Sequence, residues 1–249
     1  MCYDLESTYR THLKKARLKG DVEKVEEIIR KLRILNPDFP YHHVSGFAHP
    51  KLMIYTNHAP DEPTPSTWGL VPHWVKAESP REFWKKANTL NAVGETLFEK
   101  ASYRDSAKSK RCILCIDAFY EPHQYNNKSY PFIIYKKDQT PINLGCLWSE
   151  WLDKSTGELF SSFTIVTTQA NGLLSKIHND KKRMPVILDD SQVDQWLHGD
   201  LKDLIKPWEE NDLTAHTVAP LRGKNALGNV PEVVEHFHYP ELALDKEID

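Results

Sequence analysis

The stretch CIDAFYEPHQYNNKSYPFIIYKK (residues 115–137) decides the architecture of this chain. Two apolar segments, CIDAFYEPH and PFIIYKK, are rich in β-branched and aromatic residues and flank the turn formers of QYNNKSYP. So short a connection joins strands antiparallel. The same texture extends to both sides, in KLMIYT, KRCILCID, INLGCLWSEWL, SSFTIVTT and RMPVIL, with KKDQTP and DKSTG standing where further hairpin loops belong. Helical spacing appears near 80–87, 94–103, 169–176, 191–197 and 200–206, without the strand–helix alternation of a parallel sheet. The reading is α+β, an antiparallel sheet or barrel with helices around it.

Upstream, residues 8–19 and 21–35 read as two helices separated by Gly20. In the second, Val22, Val25, Ile28, Ile29, Leu32 and Leu35 recur at helical spacing and Asp21 is placed to cap. NHAPDEPTPST (57–67), with its three prolines, reads as a loop, and it is too short to be a linker between domains. One domain over 1–249 is expected, ending in an acidic, frayed tail over about 236–249.

Composition narrows the function classes. With 40% hydrophobic and 27% charged residues and a net charge of −3, the 249-residue chain is of ordinary globular type and carries no global basic field. A polyanionic partner therefore needs a local basic patch. No apolar run approaches the roughly 20 residues of a membrane-spanning helix, and the first residues are too charged for a secretory signal, so a cytoplasmic location is expected. Four cysteines make no disulfide framework. Cys112 and Cys115, three apart on an apolar strand, should face opposite sides of it, which argues against a shared metal. No glycine-rich phosphate loop, H-E-x-x-H, G-x-S-x-G or paired C-x-x-C motif is present, and neither cofactor nor metal is expected.

What remains is polar residues set in apolar elements. Cys2 follows the initiator methionine; once that residue is removed, an α-amine and a thiol stand on adjacent carbons. The amine, of reference pKa near 7.7–8.0, is a ready nucleophile, forms a Schiff base with an aldehyde, and lets the thiol close a thiazolidine on the imine carbon. The alternative is a cysteine there by accident. Asn91, ahead of a helix start, is either a cap or a site residue. Glu121, among Phe119, Tyr120 and Pro122, is either a surface acid at a strand end or a carboxyl of raised pKa suited to proton transfer. His178, followed by Lys181, Lys182 and Arg183, is either a surface histidine in a solvated charge run or a proton-transfer group beside bases that attract phosphate. Trp68 and Trp74 are either core or a stacking platform for an unpaired base.

In register, MC, WGLVPHW, NAVGET, DAFYEP, IVTT and IHNDKKRMPVIL, with the late APLRGKNALGNVPEVVE, resemble the SRAP (SOS response-associated peptidase, abasic-site-processing) family from residue 2 to about 235. The resemblance implies a β-barrel-like core flanked by helices. It further implies a covalent link between the mature N-terminal Cys2 and abasic sites in single-stranded DNA, which shields the lesion, together with lyase-like chemistry and self-processing at Met1. Carried over, Cys2 is the nucleophile, Asn91 positions its amine, and Glu121 and His178 handle protons, with Trp74 near the DNA and Thr167 near the site. Two other readings stand beside it, a peptidase using Cys2 on peptide bonds and a non-catalytic reader of modified or single-stranded DNA. The chain departs from the family in having Tyr3 and Asp4 where glycine and arginine are usual, Val93 in place of an arginine, and a longer spacing from His178 to Arg183. Both missing arginines would grip phosphates, and an aspartate repels them. Lys181, Lys182, Arg183, Arg104, Lys108, Lys110 and Arg111 are the bases available to replace them.

Overall fold

The computed structural model describes residues 2–8, 39–76 and 79–242, with helical positions at 27, 30, 33 and 34. The helices expected over 8–19 and 21–35 otherwise lie outside the described residues. Strands β1 (Asp4–Ser7), β2 (Tyr41–Ser45), β3 (Lys51–Thr56) and β4 (Ala59–Trp68) lead to helix α1 (Pro80–Trp84), β5 (Asn91–Val93) and α2 (Arg104–Ser109). Next come β6 (Arg111–Ile116), β7 (Ala118–Tyr125), β8 (Lys128–Lys136), β9 (Ile142–Leu152) and β10 (Leu159–Gln169). The chain continues with α3 (Gly172–Ile177), β11 (Arg183–Pro185), β12 (Ile187–Leu188), α4 (Val193–His198) and β13 (Leu213–Thr217).

Strands β3, β4, β10, β9 and β6 close into a barrel, antiparallel throughout except at the parallel β4–β10 seam. A second sheet, in the order β13-β8-β7-β1-β2, packs with it. The period-2 alternation of the barrel strands sorts the core. On β6, Cys112, Leu114 and Ile116 join one buried cluster with Trp68, Phe163, Ile165 and Cys146. Ile113 and Cys115 join another with Trp196 and Leu197 of α4. Because α4 can lie only outside so small a barrel, the first cluster fills the interior and the second pads the wall. Cys112 and Cys115 therefore face opposite ways, as their spacing predicts.

The β7–β8 hairpin forms where the deciding stretch places it. Asn126 and Asn127 sit at φ of 48° and 60°, and Tyr125 pairs with Lys128. Two consecutive left-handed residues are the type I′ requirement, and asparagine tolerates them. DKSTG likewise closes β9 on β10, with Leu152 opposite Leu159. KKDQTP does not make a hairpin: β8 pairs with β7 and β13, whereas β9 pairs with β6, β10 and β12. That turn carries the chain from one sheet to the other.

The proline-rich stretch 57–67 is strand for most of its length rather than loop. Among the described residues its partner over Ala59–Pro65 is β3 alone, and β10 joins at Thr67 and Trp68. A strand bonded on one side has room for residues that lack an N–H. Of the expected helices, 94–103 is a 3-10 turn followed by turns, with α2 beginning at Arg104, and 200–206 is a series of turns. The chain up to Leu242 is not frayed: His236 bridges Val218, Tyr130 donates to Glu241 at 3.0 Å, and Leu242 is buried. No helix among the described residues is long and apolar enough to cross a membrane.

Candidate active site around Cys2

Cys2 leads into β1, which lies between β2 and β7, and its side chain joins the interior cluster with no exposed surface. β7 delivers Glu121 to the same place. Phe119 points into the interior cluster and Tyr120 to the opposite face of the sheet, so Glu121, two beyond Phe119, points inward again. Its exposure is 1%. Burial is the main reason its carboxyl is pushed up to about 7. The acid is thus half-protonated near neutrality, and the surface-acid alternative falls.

His178 caps the C-terminus of α3 and is buried. Its Nδ1 lies 3.0 Å from the Arg183 carbonyl and 3.4 Å from Glu121 Oε2. A carbonyl only accepts, so the ring proton sits on Nδ1. Burial lowers His178 to about 4. The imidazole is therefore neutral at pH 7, and Glu121 is the member of the pair that titrates there. Burial, and next the charge of Glu121, push the Cys2 thiol well above the ordinary range.

Asn91 does not cap a helix. It begins β5, parallel to β10, and its Nδ2 donates to the Cys2 carbonyl at 2.8 Å. Its Oδ1 is buried with no hydrogen-bond partner among the described residues. Its own carbonyl accepts from the Tyr103 hydroxyl at 3.1 Å, a support that nothing in the sequence signals.

Other expected contacts separate by burial. Trp68 has no exposed surface, donates from Nε1 to the Leu90 carbonyl at 2.8 Å, and offers no face to a base. Gly69 after it stands at φ +123°, where a Cβ would lie 2.6 Å from His49 Nδ1, so the Trp-Gly pair is a packing device. Trp74 is 46% exposed. Thr167 is buried and donates to the Ala92 carbonyl at 3.2 Å. Arg183 is committed inward: its guanidinium meets both oxygens of Glu95 at 2.8 and 2.7 Å and the Thr167 carbonyl at 2.8 Å. Lys181 and Lys182 are exposed. Lys110 pairs with Glu150 at 2.8 Å and Arg111 is buried, donating to the Gly199 carbonyl, which leaves Arg104 and Lys108 on the surface.

Asp4 is the largest surprise. It is buried, accepts from Arg222 Nη2 on both oxygens at 2.7 and 2.5 Å, and lies 3.0 Å from His43 Nε2. The residue expected to repel a phosphate is paired with a base. A pocket of about 300 Å³ runs past Tyr3, Asp4, Glu121 and Arg222.

Fold and site together define a class: a small mixed β-barrel with a second sheet packed on it, in which the residue leading into β1 buries its thiol in a site that also holds a buried acid and an imidazole. The chain belongs to the SOS response associated peptidase (SRAP) family, whose model matches residues 15–224. It is 34% identical over 175 residues to the abasic site processing protein YoqW of Bacillus subtilis, covering 68% of this chain and 74% of that one. It is 32% identical over 190 residues to the abasic site processing protein HMCES of Xenopus tropicalis, covering 66% of this chain and 54% of the relative. A crystal structure of a Bacteroides thetaiotaomicron protein superposes with a TM-score of 0.78 at 32% identity, covering 95% of this chain and all of the other.

Proposed function

We propose that this chain processes abasic sites by crosslinking its mature N-terminal Cys2 to the ring-opened aldehyde of the lesion in single-stranded DNA. With Met1 gone, the α-amine of Cys2 adds to the aldehyde carbon and the carbinolamine loses water to give an imine. The thiol then adds to the imine carbon: a C–S bond forms, the S–H proton passes to the ring nitrogen, and one water is released overall.

The observation that carries this reading is the position of Cys2, held by its carbonyl on Asn91 in one buried site with Glu121. A carboxyl of pKa about 7 can give a proton to the departing hydroxyl and take one from the thiol at the same pH. Neutral His178, its Nδ1 3.4 Å from Glu121 Oε2 and committed to the Arg183 carbonyl, packs beside the carboxyl and limits its position. The unpartnered Asn91 Oδ1 is an acceptor suited to the freed amine. Release of Met1 belongs to the same proposal, as self-processing at this site.

The test is intact mass after incubation with single-stranded DNA bearing one abasic site. An adduct equal to the Met1-less chain plus DNA minus one water is expected. A shortened peptide substrate with no adduct would favour a peptidase, and unchanged mass with retained binding a non-catalytic reader. Cell-free translation without methionine aminopeptidase tests self-processing, which is abandoned if Met1 stays on the folded wild-type chain.

A further inference from the structure

We propose that Arg222 is a phosphate clamp of the Cys2 site and that Asp4 is the residue that positions it; this deepens the reading of a single-stranded DNA ligand and rests on it. Asp4 lies two residues from Cys2 on β1, and a carboxylate with 5% exposure requires a partner. The partner comes from 218 residues away: Arg222, in the loop after β13, places Nη2 against both carboxylate oxygens, with Ser45 Oγ at 3.2 Å. Its guanidinium also lies over the Phe47 ring, 5.5 Å from the centroid, and Phe47 packs against Tyr3 at 4.8 Å. The head group is thus fixed from two sides next to the reacting strand.

That fixing uses only Nη2. Nη1 and Nε make no hydrogen bond among the described residues, and the side chain is 55% exposed. An arginine with one edge tethered presents its other edge as a donor fork, the geometry that suits a phosphate. Asp4 pairs with Tyr120, on the face of the sheet opposite the Glu121 carboxyl, and the pocket that Arg222 borders is lined by Tyr3, next to Cys2, and by both Tyr120 and Glu121; a strand reaching Cys2 along this pocket would run a neighbouring phosphate past the fork. Arg183, the base nearest His178 in β11, is already paired with Glu95 and leaves this task open.

The pair makes a prediction opposite in sign to bulk electrostatics. If Asp4 merely repelled DNA, Asp4→Asn would tighten binding. As a tether, its loss lets the fork swing away, and binding weakens. The experiment measures binding of a labelled, undamaged oligothymidylate by fluorescence anisotropy across a salt series, alongside crosslinking to the abasic strand. Arg222→Gln is expected to bind roughly tenfold more weakly at low salt and to lose about 0.7 from the slope of log affinity against log salt, the signature of one phosphate contact. Lys224→Ala removes the same charge two residues away and is expected to keep the wild-type slope. Because Arg222→Gln strands a buried carboxylate, the double variant Asp4→Asn/Arg222→Gln is included; its net charge equals that of wild type, yet it is expected to bind as weakly as the single variant. Wild-type affinity and slope in the double variant, or tighter binding by Asp4→Asn, would overturn the clamp. If wild type binds the oligothymidylate but forms no adduct with the abasic strand, the crosslinking reading fails while the clamp is still judged by the slopes. Wild type that binds neither strand overturns both.

Discussion

Thiols lie in two places within one buried cluster, and their neighbours differ. Cys112 and Cys146 face each other across β6 and β9, fully buried, with Trp196 donating to both of their backbone carbonyls. Cys2 is equally buried, but in a site with Glu121, His178 and Asn91. Burial pushes Cys2 and Cys112 alike well above the usual range. Burial therefore disarms a thiol in either place. Of the two places, only that of Cys2 has a titrating carboxyl close by, and in the proposed reaction it takes the thiol proton while the α-amine freed by loss of Met1 makes the first bond. The contrast teaches that what sets these two buried thiols apart is their polar neighbours rather than the sulfur itself.

The comparison breaks most simply by removing one sulfur at a time. Cys2→Ala is expected to abolish the heat-stable adduct on a denaturing gel, while Cys112→Ala, Cys115→Ala and Cys146→Ala keep it. A stable adduct at wild-type yield from Cys2→Ala would shift the chemistry to a lysine and end the thiazolidine reading. Next in size is Glu121→Gln, expected to slow single-turnover crosslinking by roughly 10² while the variant stays folded, because the amide matches the acid in shape and exchanges no proton. Unchanged rates at every pH would remove Glu121 from the mechanism. On the apolar side, Leu114→Ala in the barrel interior is expected to cost about 3 kcal/mol in urea unfolding. A cost near zero would mean that this interior is not tightly packed.

The finest test uses pH. The folded chain holds the Glu121 proton more tightly than an ordinary carboxyl of 4.5, so this group's contribution to stability falls as pH rises toward about 7. It holds the His178 proton less tightly than an ordinary 6.5, so that contribution rises from about pH 4 to 6.5. Each amounts to about 3 kcal/mol, and the two oppose each other over the shared window. Wild-type stability should therefore change less between pH 4.5 and 6.5 than that of Glu121→Gln, which should grow more stable across it. Parallel profiles for the two in urea unfolding would show that the pair is not coupled to folding as described.

Much of the architecture is legible wherever the cause is local. Two asparagines specify the β7–β8 turn, the three-residue spacing of Cys112 and Cys115 sets their faces, and α3 lies close to its expected place. Glu121 and His178 are visible as polar residues in apolar settings. What is not legible depends on partners far along the chain. β4 accepts prolines because β3 is its one strand partner over that stretch among the described residues, KKDQTP changes sheets because β13 claims the side of β8 that β9 would have used, and Trp68 is buried because Gly46 leaves room for its ring and the barrel closes around it. Asp4 looks like a repulsive charge only while Arg222 is out of view. Asn91 reads as a cap until Cys2 is placed beneath its amide.

The place of β1 between β2 and β7 has a consequence for synthesis on the ribosome. Cys2 is made well before its neighbours Asn91, Glu121 and His178, and β1 cannot take its place until β7 exists. A nascent or prematurely terminated chain thus carries the thiol without the acid. The buried site around Cys2 is assembled only when translation has passed α3 and the sheet has closed, so under the proposed crosslinking the chemistry would be timed by completion of the fold rather than by the appearance of the thiol.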